Sequence, residues 1–397
     1  MEKARMRIAV VGCGTAGPAA ATLLARHGHQ VTLYERAPEC QPVGAGFLLQ
    51  PSGMAVLEEL GIAEAVLAKA AKVDSLHIVN PDGTTLLELL YREMDAGAFG
   101  AGLHRPVLLH HLMSAMGKAG VDVRWNHAIT SAEETADGWR LTFSDGAASD
   151  PFDLLILADG ARSSLRHLVD GGVTNRGYPW GAHWFIGENR GVFPGNELYQ
   201  VVNGTRQLGG FLATGCDLDH DEPLVSLFWS IRIQDDGKLR SQTLDEWKRP
   251  ILALCPRAEV LLDQIHDWSQ IATARYGDVR MRRWYGRRIV VLGDAAHAMS
   301  PQLGQGVNLA LADASCLADC ISREPLPEAL REYQRRRWPT IRYYQFATRR
   351  LTPFFQSDME WITPFRQALF RVSQSVPPLR CLMTRTMAGV IGAAGER

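Results

Sequence analysis

The sequence predicts an α/β fold: a domain built on a parallel sheet, a second β-sheet domain interleaved with it, and a C-terminal helical segment. Three observations lead there. A short β-branched run near the start turns through closely spaced glycines into an Ala/Leu-rich helix. A second run, turn and helix follow near residue 290. Between them lie two stretches of short apolar strands separated by turn residues.

Residues 7–11 form the first run, and Gly12, Gly14 and Gly17 follow, with Ala16 inside the turn. Gly12 permits the tight bend, Gly14 lets backbone approach a pyrophosphate, and Gly17 lets helix pack on strand. The helix N-terminus offers unpaired N–H groups and a partial positive charge to phosphates. A second strand, 31–34, ends at Glu35, eighteen positions after Gly17, where a carboxylate can accept from a ribose hydroxyl; Arg36 follows it. This is a Rossmann-like dinucleotide fingerprint that does not by itself separate FAD from NAD. Pro18 departs from it harmlessly, because the first helical turn does not use that N–H.

Residues 287–292 read as a buried strand running into Gly293 and Asp294. Asp294 can hold a sugar-like chain of hydroxyls. Gly304 and Gly306 let backbone N–H groups reach a flat ligand, and from Val307 a helix begins whose dipole favours negative charge at that point. Reduced flavin is anionic on one edge and suits such a place.

Residues 293–306 resemble the second flavin-binding motif of the para-hydroxybenzoate hydroxylase family, the single-component FAD-dependent aromatic hydroxylases (group A flavoprotein monooxygenases). Residues 153–166, around Asp159 and Gly160, are similar to that family's Asp-Gly motif. Arg105 stands where the family carries an arginine beside the FAD ribityl and pyrophosphate, and the loop 44–48, with Gly46 and Leu48, resembles the loop beside the isoalloxazine. The resemblance covers roughly residues 5–350. Pro51-Ser52, where relatives often have Pro-Asn, and Leu157, where they often have Gly, depart from it and bear on subfamily rather than flavin.

The resemblance implies an FAD-dependent monooxygenase that uses NADH or NADPH and O2 to hydroxylate a small aromatic or heteroaromatic substrate through a flavin 4a-hydroperoxide. It assigns FAD binding to the glycine turn, Ala16, Glu35, Arg36, Gly46, Arg105, Asp159, Asp294, Gly304, Gly306 and Val307. It places Pro301 beside the reacting face of the flavin. His297 lies in the same motif, with a structural hydrogen bond expected over proton transfer.

The FAD domain must then be discontinuous: 1–73, 101–175 and 276–345, with a substrate domain from 74–100 and 176–275 and a helical segment 346–397. Pro81-Asp82-Gly83 marks a hairpin between 75–80 and 84–90, and further strands read at 199–202, 207–214 and 224–233. Residues 351–391 read as helical, interrupted at Pro353, Pro364 and Pro377-Pro378. The arginines 335–337 and 349–350 read as a solvated helix face, with peripheral membrane contact the weaker alternative. Substrate contacts are expected from Leu48 and Pro301 on the flavin side and from His183, Tyr199, Phe211 and Phe228 in the middle sheet. No Arg/Ser/Tyr cluster there would grip a carboxylate, which favours a neutral, apolar aromatic such as a phenol or a quinolone-like heterocycle. The C-terminal segment faintly resembles that of alkylquinolone hydroxylases.

A formal net charge of −1 over 397 residues argues against nucleic acid as partner. Seven cysteines with no CxxC pair argue against a disulfide scaffold or a metal site and favour a reducing, cytoplasmic setting. A monomer or homodimer is expected. No span reads as a transmembrane helix, and the lipoprotein-like residues before Cys13 follow an apolar run, 8–11, too short for a signal peptide. His110 and His111 read as ordinary helix residues, and Cys316 and Cys320 as packed thiols. A flavin halogenase would carry a Trp-x-Trp-x-Ile-Pro motif, which residues 228–232 are not, and a catalytic lysine; Lys69 and Lys72 lie in a polar, helix-like stretch. A prenyl-reductase-type FAD reductase keeps similar flavin motifs, although the loop 301–306 favours a hydroxylase. A non-enzymatic FAD-carrying subunit would gain nothing from the motifs retained.

Overall fold

The structure, a computed structural model, describes residues 5–40 and 46–392. Its central sheet has five parallel strands in the order Ile289–Val291, Leu154–Leu157, Arg7–Val11, Gln30–Tyr34, Asp122–Arg124. The inner strands Leu154–Leu157 and Arg7–Val11 are almost wholly apolar because they lie in the main hydrophobic core, between packed helices and the hairpin side chains Trp139, Leu141 and Phe143. Helices Ala16–Arg26 and Gly306–Arg323 pack against each other on this sheet. Since all five strands run the same way, their carboxyl ends bring Gly12, Glu35, Asp159 and Asp294 to one edge. That edge is where ligands settle in open α/β sheets.

A second sheet of seven strands runs in the order Ala272–Met281, Val173–Glu188, Leu224–Arg232, Gln207–Ala213, Glu197–Asn203, Ser75–Val79, Thr85–Leu90. Neighbours are antiparallel except Glu197–Asn203 with Ser75–Val79. The hairpin expected around Pro81-Asp82-Gly83 is present. The boundaries expected at 175, 276 and 346 fall inside Val173–Glu188, Ala272–Met281 and the helix Leu326–Phe355, so continuous elements rather than linkers cross them.

Between the two sheets lies a small antiparallel one, Phe47–Leu49, Gly100–Leu103 and Ala71–Val73. A Cβ on Gly102 would run into the Ala213 carbonyl oxygen, so glycine there lets this sheet lie against the larger one. Lys72 sits on the strand Ala71–Val73, not in the helix-like stretch expected.

The C-terminal region is helical, as expected, but its prolines act differently. Pro353 lies near the end of the 30-residue helix Leu326–Phe355 without interrupting it. Pro364 and Pro377-Pro378 stand in the first turns of Thr363–Ser375 and Pro377–Met387, where a missing N–H costs nothing. Inwardly these helices place Phe355, Phe370 and Met387 against Leu48, Leu208 and Leu212. Outwardly they expose Trp361, Phe365, Leu369 and Val372. The solvated-face expectation fails at Arg337, which is buried and donates to Asp313 at 2.8 Å, because its helix packs on Gly306–Arg323. Among the described residues no helix is long and apolar enough to cross a membrane.

Candidate active site

The glycine turn is a cradle dictated by backbone contact. A Cβ on Gly12, where φ is +104°, would sit 2.6 Å from the Ala158 carbonyl oxygen, and one on Gly17 would strike the Gly12 carbonyl oxygen. Gly14 instead has nothing within 4 Å of where its Cβ would be. Glu35 stiffens the turn: its Oε2 accepts from the Cys13 N–H at 2.8 Å and its Oε1 from the Ala37 N–H at 3.0 Å. Each oxygen keeps lone-pair capacity for a hydroxyl. Ala16 is buried in the first turn of its helix, while Arg36 is exposed beside Glu35.

Buried polar atoms without partners gather around this edge. Arg105 opens the helix Arg105–Lys118 and lies over the Phe47 ring at 5.3 Å, with its Nε buried and unpaired. Arg166 donates to the carbonyls of Gly160 at 3.1 Å and Ala161 at 2.5 Å, leaving Nε and Nη1 buried and unpaired. Asp159 Oδ1 is likewise buried and unpaired. Asp294 opens into the crevice, yet the surrounding protein desolvates it, which pushes its carboxyl above the usual range; Asp159 is pushed up for the same reason. Desolvation also pulls Arg105 and Arg166 down, opposed chiefly by Asp294 and Asp159 respectively.

Each such unmet group costs about 1–3 kcal/mol when nothing fills its hydrogen bond. Guanidinium donors for phosphates, carboxylates for hydroxyls, helix N-termini and an open glycine are the donor set FAD requires, and the residues present fit it.

The second motif is held from behind. His297 is buried, and its Nε2 lies 2.6 Å from Asp313 Oδ2. Asp313 also accepts from the Gly293 N–H at 3.0 Å and from Arg337 Nε at 2.8 Å. Burial alone would raise Asp313, but the charges and hydrogen bonds of His297 and Arg337 hold it at about 2. His297 is thus tied through Asp313 to the Gly293 turn and does not line the neighbouring cavity. Gly304, at φ +61°, has open space beside it; Gly306 begins its helix, and Val307 is half-buried. Gly46 is close-packed, since a Cβ there would strike Thr214. Residues 44 and 45 of the expected flavin-side loop lie outside the described residues.

Next to these loops is a cavity of about 370 Å³. Leu48, Pro301 and Gly304 line it from the cofactor side, Trp184, Leu212 and Phe228 from the seven-stranded sheet, and Tyr343, Phe370, Met383 and Met387 from the C-terminal helices. No described lining residue is charged. Leu48, Phe228 and Pro301, expected as substrate contacts, line this cavity.

His183, Tyr199 and Phe211 do not. Successive strand residues face opposite sides of a sheet, so an error of one position moves a side chain out of the cavity. Trp184 faces the cavity while His183 is buried behind it, bonded to Asp236 at 3.0 Å and accepting from Trp247 Nε1 at 2.9 Å. Desolvation pulls the His183 imidazole down, against Asp236. Leu198 and Gln200 line the cavity, while Tyr199 lies 4.4 Å beneath Arg257. Gly210 and Leu212 line it, while Phe211 stacks on Phe193 at 4.4 Å.

Sequence reasoning also missed Gln50, Trp184, Arg166 and the helix residues Tyr343, Met383 and Met387. Period-two alternation carried a signal for Trp184, and Arg166 closes the motif 153–166; nothing local marked the others.

The description "FAD binding domain" belongs to a family model that matches residues 5–343. The chain belongs to this family. It is 30% identical over 405 residues to 3-amino-4-hydroxybenzoate 2-monooxygenase of Streptomyces cremeus, covering 96% of this chain and 95% of that one. It is also 30% identical over 351 residues to 2-heptyl-3-hydroxy-4(1H)-quinolone synthase of Mycobacteroides abscessus, covering 86% and 88%. A Klebsiella pneumoniae HpxO variant complexed with FAD superposes with a TM-score of 0.82 at 21% identity, covering 96% and 99%; at that identity the likeness is one of fold. The chain is a FAD-dependent monooxygenase of the aromatic hydroxylase group.

Proposed function

We propose that this monooxygenase uses NADH or NADPH and O2 to hydroxylate a neutral, largely apolar aromatic or heteroaromatic substrate. The observation that carries the reading is the cavity, which lies against the loops of the FAD motifs and has no charged side chain among its described lining residues. A benzoate would have to shed its hydration there without a cation to meet it.

Hydride acceptance and dioxygen activation are the chemistry FAD supplies when bound. Arg105 and Arg166 offset the charge of its phosphates, while Glu35, Asp159 and Asp294 accept from its hydroxyls. Leu48 and Pro301 would border the substrate from the cofactor side, and the largely apolar walls would exclude water from the reacting centre. The motifs account for one dinucleotide unit, and NAD(P)H binds transiently on the same scaffold, in the cytoplasm. Among relatives, the quinolone synthase name describes a neutral, alkylated heterocycle, which suits this lining better than an aminohydroxybenzoate does.

The test is NAD(P)H oxidation by FAD-loaded protein with matched panels. Neutral phenols and alkylquinolones should stimulate it, and benzoates should not. Stimulation by benzoates alone would overturn the charge argument, while NAD(P)H consumption with a reduced or halogenated product would favour a reductase or halogenase.

The outer helix face supports a second reading, peripheral contact with an anionic membrane. Trp361, Phe365, Leu369 and Val372 are exposed along one stripe, and residues 361–392 hold no Asp, Glu or Lys, with Arg371 and Arg385 exposed while Arg366 is buried and Arg380 pairs with Glu93. Sedimentation with phosphatidylglycerol vesicles that Phe365→Ser weakens would support it; no sedimentation at low salt would refute it.

A further inference from the structure

In this uncharged cavity, whose lining also includes Gln200, Ser226, Gln302, Tyr343 and Thr386, two buried side-chain atoms of described lining residues have no hydrogen-bond partner, and both are donors: Gln50 Nε2 and Trp184 Nε1. Gln50 is fully buried. Its orientation is imposed from behind, because Tyr91, itself fully buried, donates its hydroxyl to Gln50 Oε1 at 2.6 Å. Burial pushes the Tyr91 phenol up, so it stays protonated and keeps donating. The backbone is held too: the Gln50 N–H donates to Asn308 Oδ1 at 2.8 Å. With its oxygen occupied, the amide can offer the cavity only N–H.

Trp184 approaches from the seven-stranded sheet, with its ring 6.0 Å from that of Phe228. An indole nitrogen is a donor and nothing else. Neither group can be satisfied by a hydrocarbon or by another donor. A carboxylate would satisfy them but would bring a charge that no lining cation meets.

We infer that Gln50 and Trp184 select substrates that carry neutral acceptor oxygens, such as a ring carbonyl or vinylogous amide, on an apolar body. The inference rests on the proposed hydroxylase reading and narrows its substrate class. An unmet donor is costly to bury, so a ligand lacking the acceptor is rejected more strongly than a methylene difference would allow.

The test pairs 2-heptyl-4(1H)-quinolone with 2-heptylquinoline, which lacks the carbonyl, and reads binding from the flavin absorbance of FAD-loaded protein. The wild-type chain should prefer the quinolone by about tenfold or more. Gln50→Leu and Trp184→Phe should each erode that preference, and the double variant should abolish it, with FAD content unchanged. Should Gln50→Leu fold poorly, Tyr91→Phe frees the amide to rotate and should erode the preference as well. No preference in the wild type, the same preference in all variants, or no binding of either probe would overturn the inference. Loss of FAD without loss of preference would assign Gln50 to the cofactor instead, and would overturn it too. Because the readout is binding, failure to turn over these probes would count against the proposed reaction alone.

Discussion

The FAD cradle and the apolar cavity share the loops at 46–48 and 301–304, yet opposite physics shapes them. In the cradle, single positions are constrained one by one. Gly17 has no room for a Cβ, Arg105 and Arg166 carry buried, unpaired nitrogens, and Asp313 takes three hydrogen bonds to hold one turn. In the cavity, apolar area is shared among side chains from a loop, a sheet and three helices, and most of them could exchange with another apolar residue. The cradle is written in residue types; the cavity lining is written in which face each residue turns.

Substitutions that should sharpen this contrast begin with Gly17→Val. Its branched side chain meets the Gly12 carbonyl, and the purified protein should lack flavin absorbance altogether. A yellow variant would mean that the turn relaxes.

Next comes a pair on the two faces of one sheet. Phe211→Ala should cost about 3–5 kcal/mol of stability, read by denaturant unfolding, with KM unchanged in the folded fraction. Phe228→Ala should raise KM about tenfold and cost less stability. The reverse pattern would put the substrate on the other face.

Asp294→Ala should weaken FAD binding by about 2 kcal/mol, the worth of hydrogen bonds to a charged group, and lower FAD occupancy. Unchanged flavin absorbance would refute its role with the hydroxyls.

Asp313 supplies a comparable effect without touching ligand. Its folded pKa of about 2 lies below the ordinary 3.8, so its contribution is fully present above the ordinary value and is lost as pH falls toward 2. That difference amounts to about 2 kcal/mol. Asp313→Asn should be less stable at neutral pH and should lose less stability than the wild type between pH 3.8 and 2. Identical acid profiles would show that His297 and Arg337 do not hold that carboxylate. At the small end, the exposed Arg36→Ala should change stability by under about 0.5 kcal/mol.

The same contrast explains what was legible in advance. Gly12, Glu35, Asp159 and Asp294 could be read because strand–turn–glycine chemistry is local, and parallel strands then carry their ends to one edge. The seven-stranded sheet was readable as strands but not as faces: His183, Tyr199 and Phe211 attract attention as aromatic or titratable groups, while their plainer neighbours Trp184, Leu198, Gln200 and Leu212 line the cavity. Arg337 looked like one of a run of surface charges, and only helix packing against Gly306–Arg323 shows it buried. Gln50 carried no local signal, since its meaning comes from Tyr91, forty-one residues away.

The most direct test of the central claim is isotope incorporation. FAD-loaded protein, given NADH or NADPH, labelled dioxygen and an alkylquinolone or neutral phenol, should yield a product carrying one labelled oxygen atom, seen by mass spectrometry. NAD(P)H consumption across that panel with no label in any organic product would contradict the assignment of this cavity as the place where hydroxylation occurs.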